Sequence, residues 1–408
     1  MTAQIVIGLG FGDEGKGMLT DYLCRKAERP LVVRFSGGHQ AGHTVASPDG
    51  RLHVFSNFGA GTLASAPTFW SRYCTFHPIG YANELAALEA MGLSPKLYVD
   101  GLAPVTTPFD LLYNRAREER DRHGSCGLGF GATIARHEGP HKVHVMDLLD
   151  DFVLAKKLKS VFLYYDAKLR IKFNELELNR WMNDFREALK VVRSKLHISS
   201  ERAFFQTRSS EFSHLIFEGS QGILLDQEFG YFPHVTRAYT SSRNALELLD
   251  RIRKSIPKNP SKELAREALI KAEVHYITRA YQTRHGNGPL SQELKSGLDL
   301  KPTPYETNQT NDWQGPQRRS LLDLDQLRYA VQCDAHYSAG LDRYLTVSCM
   351  DQIKGPWLVM EKDQPIVVGE VKNLGKRIGG DWAGVFANFS QEGNPQRDGM
   401  RKKNLAMV

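Results

Sequence analysis

Near the start of the chain, Gly10-Phe11-Gly12-Asp13-Glu14-Gly15-Lys16-Gly17 follows the apolar run Ile5–Leu9 and precedes a helical pattern beginning at Met18. Strand, glycine-rich turn and helix in that order constrain the fold strongly, because a short strand feeding a helix is the opening of a parallel sheet. The spacing from Gly10 to Gly15-Lys16 suits a phosphate-cradling loop, in which backbone N–H groups converge on phosphate oxygens and a lysine adds a point charge. Gly17 stands where such a loop carries Ser or Thr for magnesium, and Asp13 puts a carboxylate inside it. Two readings stay open on these residues alone: an accidental match, or a loop that places an acid or base beside phosphates.

The strand–helix alternation continues with a helix over Met18–Lys26, a strand over Leu31–Phe35, a helix over Gly80–Met91 and a strand over Leu97–Asp100. From about residue 108 to 210 the pattern changes to charge-laced helices, such as Asp147–Ala167 and Glu175–Leu196, which predicts a helical insertion. Strand-like runs return at Leu215–Glu218, Val274–Ile277 and Tyr344–Ser348, so the same sheet is expected to resume after the insertion. The predicted class is α/β: a P-loop-like, mostly parallel sheet flanked by helices, with a helical insertion and peripheral subdomains, all in one domain over residues 1–408.

A net charge of +7 suits anionic ligands. The basic residues are scattered, with only Arg401-Lys402-Lys403 forming a run, so nucleic-acid binding is not expected. Five cysteines without CxxC or zinc spacing read as reduced thiols. No signal-like segment and no apolar stretch near the roughly 20 residues of a membrane span is present. A cytoplasmic protein without membrane contact is expected.

Three further clusters sit at predicted strand ends or turns. Ser36-Gly37-Gly38-His39-Gln40-Ala41-Gly42-His43-Thr44 follows the second strand, where open α/β sheets bind ligands and glycines permit close backbone approach. The i, i+4 spacing of His39 and His43 would suit zinc on a helix, but the surrounding glycines disfavour a helix. Gly124-Ser125-Cys126-Gly127-Leu128-Gly129-Phe130-Gly131 reads as an anion-binding turn or a linker. Phe217-Glu218-Gly219-Ser220-Gln221-Gly222 reads as a strand end passing into a polar turn, with Gln221 able to read an amide-like base edge.

Together these clusters resemble adenylosuccinate synthetases over roughly residues 3–355. Gly12 to Gly17 match that family's Gly-Asp-Glu-Gly-Lys-Gly loop, Gly37 to Thr44 its Gly-Gly-His-Asn-Ala-Gly-His-Thr signature apart from Gln40, and Glu218 to Asp226 its Glu-Gly-Ala-Gln-Gly-x-Leu-Leu-Asp signature apart from Ser220. The resemblance implies a ligase that phosphorylates the 6-oxo group of a purine nucleotide and then displaces phosphate with the amine of L-aspartate. By the same resemblance Asp13 is the base, His43 the acid, and Lys16 and Gln221 complete the catalytic set. Mg2+ is implied at Asp13 and the Gly42 carbonyl. Triphosphate contacts are implied for Gly12, Glu14, Gly15, Lys16, Gly17, Gly42, Thr44 and Asp351. Contacts to the purine monophosphate fall to Asp13, Gln40, Ser125, Cys126, Arg136, Gln221 and Thr236, with Arg136 reaching across a homodimer interface, and those to aspartate fall to Thr310, Arg318 and Arg319.

Several segments depart from the family pattern. Ser125-Cys126-Gly127-Leu128-Gly129 replaces Thr-Thr-Gly-Arg-Gly, the aspartate loop becomes Asn308 to Arg319, and Ser348-Cys349-Met350-Asp351 replaces the guanine-reading Thr-Lys-Leu-Asp. Nothing aligns beyond about residue 360, so 360–408 is read as a divergent C-terminal segment. These departures resemble a branch that includes phage 2-aminoadenylosuccinate synthetases acting on dGMP, many of which replace the loop aspartate with a small residue. Asp13 is retained, which favours IMP over dGMP or GMP as acceptor. GTP or ATP remains open as donor, and a non-catalytic nucleotide sensor is the alternative of another class.

Overall fold

The computed structural model describes residues 1–122, 124–168, 173–256, 270–293, 298–304, 306–308 and 313–387. The chain runs β1 (Thr2–Gly8), α1 (Lys16–Lys26), β2 (Pro30–Arg34), β3 (His43–Ala46), β4 (Leu52–Phe55), β5 (Thr68–Trp70), α2 (Pro78–Ala90) and β6 (Leu97–Asp100). Helices α3 (Pro108–Asp121), α4 (Phe130–His137), α5 (Asp151–Lys168) and α6 (Glu175–Lys195) precede β7 (His197–Ser199) and α7 (Glu201–Arg208). Then come β8 (His214–Gly222), α8 (Arg243–Ser255), β9 (Lys271–Arg279), β10 (Tyr281–Arg284), β11 (Arg318–Asp323) and α9 (Leu324–Ala335). The last described elements are β12 (Asp342–Ser348), β13 (Leu358–Glu361), β14 (Gln364–Val367), α10 (Val371–Ile378) and β15 (Gly384–Ala387).

Nine strands form the central sheet in the order β15-β12-β9-β1-β8-β2-β5-β6-β7, and every pairing in it is parallel. A parallel sheet is covered on both faces, so its strands read as continuous apolar runs. In β1, Val6 packs with Leu19 and Leu23 of α1, together with Val32, Ile216 and Ile277. Its neighbours Ile5 and Ile7 belong to the opposite layer, with Leu248 and Ile252 of α8 and Leu324 and Leu327 of α9. A smaller four-stranded sheet, β10-β11-β13-β14, and the hairpin β3–β4 lie apart from it.

Chain order decides where a ligand fits. The chain leaves β1 for β2, continues outward through β5 to β7, returns to insert β8 between β1 and β2, and only then builds β9, β12 and β15 on the other side. The loops after β1, β2 and β8 therefore meet at one carboxyl edge, the switch point where open α/β sheets bind ligands.

Two sequence expectations need correction. The segment 108–210 is not purely helical, because it contains β7, which pairs with β6 at the sheet edge. A three-residue strand is too short to show alternation in sequence. Strand β8 runs through Gly222 rather than ending at Glu218, so Ser220 and Gln221 stand on strand and not on a turn. Beyond residue 360 the chain is partly integral: β15 extends the central sheet through β12. The basic run 401–403 lies outside the described residues.

Candidate active site

Helix α1 begins at Lys16, and its N-cap Gly15 has φ 95° and offers no side-chain cap. Only glycine adopts that conformation without strain. The first-turn N–H groups are thus free of side-chain caps, the arrangement that attracts phosphate. Gly12, Asp13, Gly15, Lys16 and Gly17 line a cavity of about 1080 Å³. That volume lies just above the roughly 300–1,000 Å³ usual for small-molecule sites, so more than one small ligand can fit.

Gly17 has a structural reason to lack a hydroxyl. A Cβ there would lie 2.7 Å from Cβ of His43 and 3.3 Å from its backbone. The chain after β2 passes where the P-loop serine would stand. Gly17→Ser is therefore expected to cost at least about 100-fold in turnover by displacing His43, and steady-state kinetics of the variant checks it.

His43 is buried at the start of β3, with Nδ1 2.6 Å from Oε1 of Glu218. Glu218 Oε2 accepts from the Ala60 N–H at 3.1 Å, and Arg34 approaches to 3.9 Å. Burial pushes Glu218 up, but the His43 and Arg34 charges bring it below the usual range. Burial also lowers His43, against the pull of Glu218. With Glu218 ionised, Nδ1 donates to it, and Nε2, 3.4 Å from the Ser220 carbonyl, bonds that acceptor only when it is protonated as well, so Nε2 is the nitrogen whose protonation responds to a substrate. His39 instead meets Asn57 at 3.0 Å and lies against His77, the two rings tilted by 36° with centroids 4.9 Å apart. The two histidines of the second cluster serve different networks and form no zinc pair.

Asp13 lies opposite. His285 approaches its Oδ2 at 3.0 Å and Gln317 Nε2 donates to the same oxygen at 3.1 Å, while Arg279 donates to its backbone carbonyl. Burial would raise Asp13, yet these partners hold it well below the usual carboxylate range. Burial lowers His285, and its bond to Asp13 reverses the shift upward.

Other expected residues also meet at this cavity. Gln40, Gly42, His43, Thr44, Ser125, Cys126, Gln221, Thr236 and Asp351 all line it. The Gln40 amide and the Gln221 carbonyl oxygen are buried without a partner among the described residues, which marks them for a ligand. Burial raises the Cys126 thiol to about 11, so it is protonated and can only replace a hydroxyl as a weak donor. Ser348 Oγ donates to Glu14 O at 2.7 Å, tying the segment that carries Asp351 to the phosphate loop.

Some expectations fail. Glu14 does not reach the cavity. Its carboxylate turns inward, accepting from the Gly10 and Gly12 N–H groups at 2.9 and 2.8 Å and pairing with Lys16 at 2.7 Å. Its carboxylate braces the loop rather than facing the cavity. Arg136 is fully buried within its own subunit, held by Asp110 at 2.8 and 2.9 Å and by the carbonyls of Val105 and His141. It cannot reach a partner's phosphate. Arg136→Ala is expected to destabilise the fold by about 3–5 kcal/mol, leaving the buried Asp110 without its counter-charge, with nucleotide KM unchanged; denaturant titration and kinetics check both. Arg318 is occupied by Glu293 at 2.8 Å and by the carbonyls of Gly286 and Gly288. Arg319 bonds Gln317 at 3.2 Å, and neither arginine lines the cavity. Thr310 lies outside the described residues.

Sequence reasoning missed Arg279, Arg284, His285 and Lys301, which all line the cavity. The signal was there in Arg284-His285-Gly286-Asn287-Gly288, a glycine-rich turn after an apolar run.

Among the described residues no three His, Cys, Asp or Glu side chains cluster to hold a metal. Magnesium fits this donor set, since it takes one or two carboxylates plus phosphate oxygens rather than a protein cage. Asp13 is the cavity carboxylate that would hold it, and Gly42 lines the same cavity.

A parallel sheet with a phosphate loop, a buried His–Glu pair and a cavity carboxylate at its switch point defines a nucleotide-dependent α/β enzyme. The chain belongs to the adenylosuccinate synthetase family, whose model matches residues 5–355, and it is therefore a C–N ligase. It is 31% identical to adenylosuccinate synthetase of Flavobacterium johnsoniae over 345 residues, 81% of this chain and 76% of that one. With the Halothermothrix orenii enzyme it shares 27% over 363 residues, covering 87% and 80%. A fully ligated adenylosuccinate synthetase from Plasmodium falciparum has the same fold, with TM-score 0.62, 18% identity and coverage of 86% and 77%. So does cyanophage S-2L succinoaminodeoxyadenylate synthetase bound to dGMP and dATP, with TM-score 0.55, 17% identity and coverage of 85% and 84%. Membership in a ligase family displaces the reading as a non-catalytic sensor.

Proposed function

We propose that the enzyme joins L-aspartate to the 6-position of IMP with hydrolysis of GTP or ATP, giving adenylosuccinate. The observation that carries this reading is the presence of Asp13, His43 and the unpartnered Gln221 carbonyl oxygen around one cavity at the α1 N-terminus. Asp13 takes the N1 proton, so the electron pair moves to O6, and O6 attacks the γ-phosphorus as the nucleoside diphosphate leaves. His43 stabilises charge on the transferring group. The aspartate amine then attacks C6, the C6–O bond breaks, and phosphate departs, taking up the proton that the amine gives up. When bound, Mg2+ at Asp13 and Gly42 neutralises phosphate charge.

A second reading has dGMP or GMP as acceptor, motivated by the dGMP named for the cyanophage neighbour. Asp13 speaks against it, because the branch that takes dGMP resembles this chain except that many of its members carry a small residue at this loop position. Asp351 beside Cys349 favours a guanine donor by offering acceptors to N1–H and the 2-amino group. A homodimer in the cytoplasm follows from the family resemblance, although Arg136 lends no support to a shared site. Among the described residues no helix is long and apolar enough to cross a membrane.

Mass spectrometry of reactions containing aspartate, Mg2+, GTP or ATP, and IMP, dIMP, GMP or dGMP is the test. Adenylosuccinate from IMP is the expected product. Absence of a succinyl-purine from every acceptor would sink the ligase reading, and product from dGMP alone would establish the second.

A further inference from the structure

Asp13 Oδ2 is held from two sides. His285, on the turn after β10, approaches it at 3.0 Å, and Gln317, just before β11, donates to it at 3.1 Å. Oδ1 has no protein partner among the described residues. A carboxylate free to rotate would present either oxygen to a substrate, whereas one gripped at Oδ2 presents Oδ1.

His285 is itself placed by backbone. Gly286 has φ 69°, and its Cα packs so closely on the carbonyl of Gly124 that a Cβ would not fit. Arg318 donates to the carbonyls of Gly286 and Gly288 at 2.8 and 2.9 Å and is anchored on Glu293. Asn308 lies 3.3 Å from the same imidazole nitrogen and is bonded at 2.7 Å to Glu306, which pairs with Arg279 at 3.2 Å. These contacts surround one hydrogen bond, and they account for Arg318, which the cavity itself does not use.

We propose that His285 is a positioning residue for the ligase reaction, fixing the Asp13 carboxylate so that Oδ1 faces the acceptor purine. The inference rests on the ligase reading, in which Asp13 removes the N1 proton. Preorganisation of this kind acts on the chemical step: an ångström of misplacement costs on the order of 100-fold, while ground-state binding is spared.

The test compares wild type, His285→Ala, His285→Gln, Gln317→Ala and the double variant His285→Ala/Gln317→Ala. His285→Ala is expected to lower kcat about 10- to 100-fold, with KM values for purine nucleotide, aspartate and triphosphate within about threefold. His285→Gln, whose amide can still donate to Oδ2, recovers most of the loss. The double variant loses less than the product of the single losses, because both residues act through one oxygen. A crystal structure of His285→Ala shows the Asp13 carboxylate rotated from its wild-type position. Unchanged kcat, a KM effect with kcat preserved, no recovery in His285→Gln, or an unmoved Asp13 overturns the role of His285 while leaving the ligase reading intact. An inactive wild type overturns the ligase reading and this role with it.

Discussion

Asp13→Asn is expected to reduce turnover by about 1,000-fold or more while nucleotide dissociation constants measured without Mg2+ change by less than about threefold. The substitution keeps size and one acceptor but removes the negative charge that takes the N1 proton, an effect worth roughly 10²–10⁴ by itself. It also weakens the only acidic side chain from the phosphate loop that lines the cavity. Phosphate binding by the α1 N-terminus and Lys16 does not depend on that charge, so affinity survives. Single-turnover measurement of phosphoryl transfer from the triphosphate, beside calorimetric titration of each nucleotide, separates the two. A variant retaining more than a tenth of wild-type turnover would remove Asp13 from the role of base.

The phosphate loop and its strand are readable in sequence because both depend on local features, an apolar run and glycines at fixed spacing. The same holds for β6, where expectation and structure agree at Leu97–Asp100. What the sequence alone leaves hidden is which partner a side chain chooses. Glu14 and Asp13 are neighbours in one loop, yet one carboxylate turns inward to Gly10, Gly12 and Lys16 while the other faces His285. Arg136 illustrates the same limit. Its place near a glycine-rich motif invites a phosphate, whereas Asp110, on a different helix, claims it in the core. The Asp13–His285 pair joins residues far apart in sequence through two loops, and no periodicity announces it.

Glu218→Gln is expected to lower kcat about 100-fold and stability by about 3–5 kcal/mol, for two separable reasons. Glu218 is fully buried on β8, bonded to His43 at 2.6 Å and facing Arg34, whose Nε and one terminal nitrogen have no hydrogen-bond partner among the described residues. A neutral amide leaves the Arg34 guanidinium buried without a counter-charge, which is the stability loss. The amide also places a donor against either the Ala60 N–H or Nδ1 of His43. In the first case two donors meet; in the second, the imidazole is forced into the other tautomer. Either way the carboxylate that stabilises a protonated His43 is gone, which is the kinetic loss. Adding Arg34→Met to Glu218→Gln removes the unpaired charge while leaving His43 without its carboxylate. The double variant is therefore expected to regain much of the stability by urea titration and almost none of the turnover. Recovery of both together would show that Glu218 serves the fold alone and that His43 works without it.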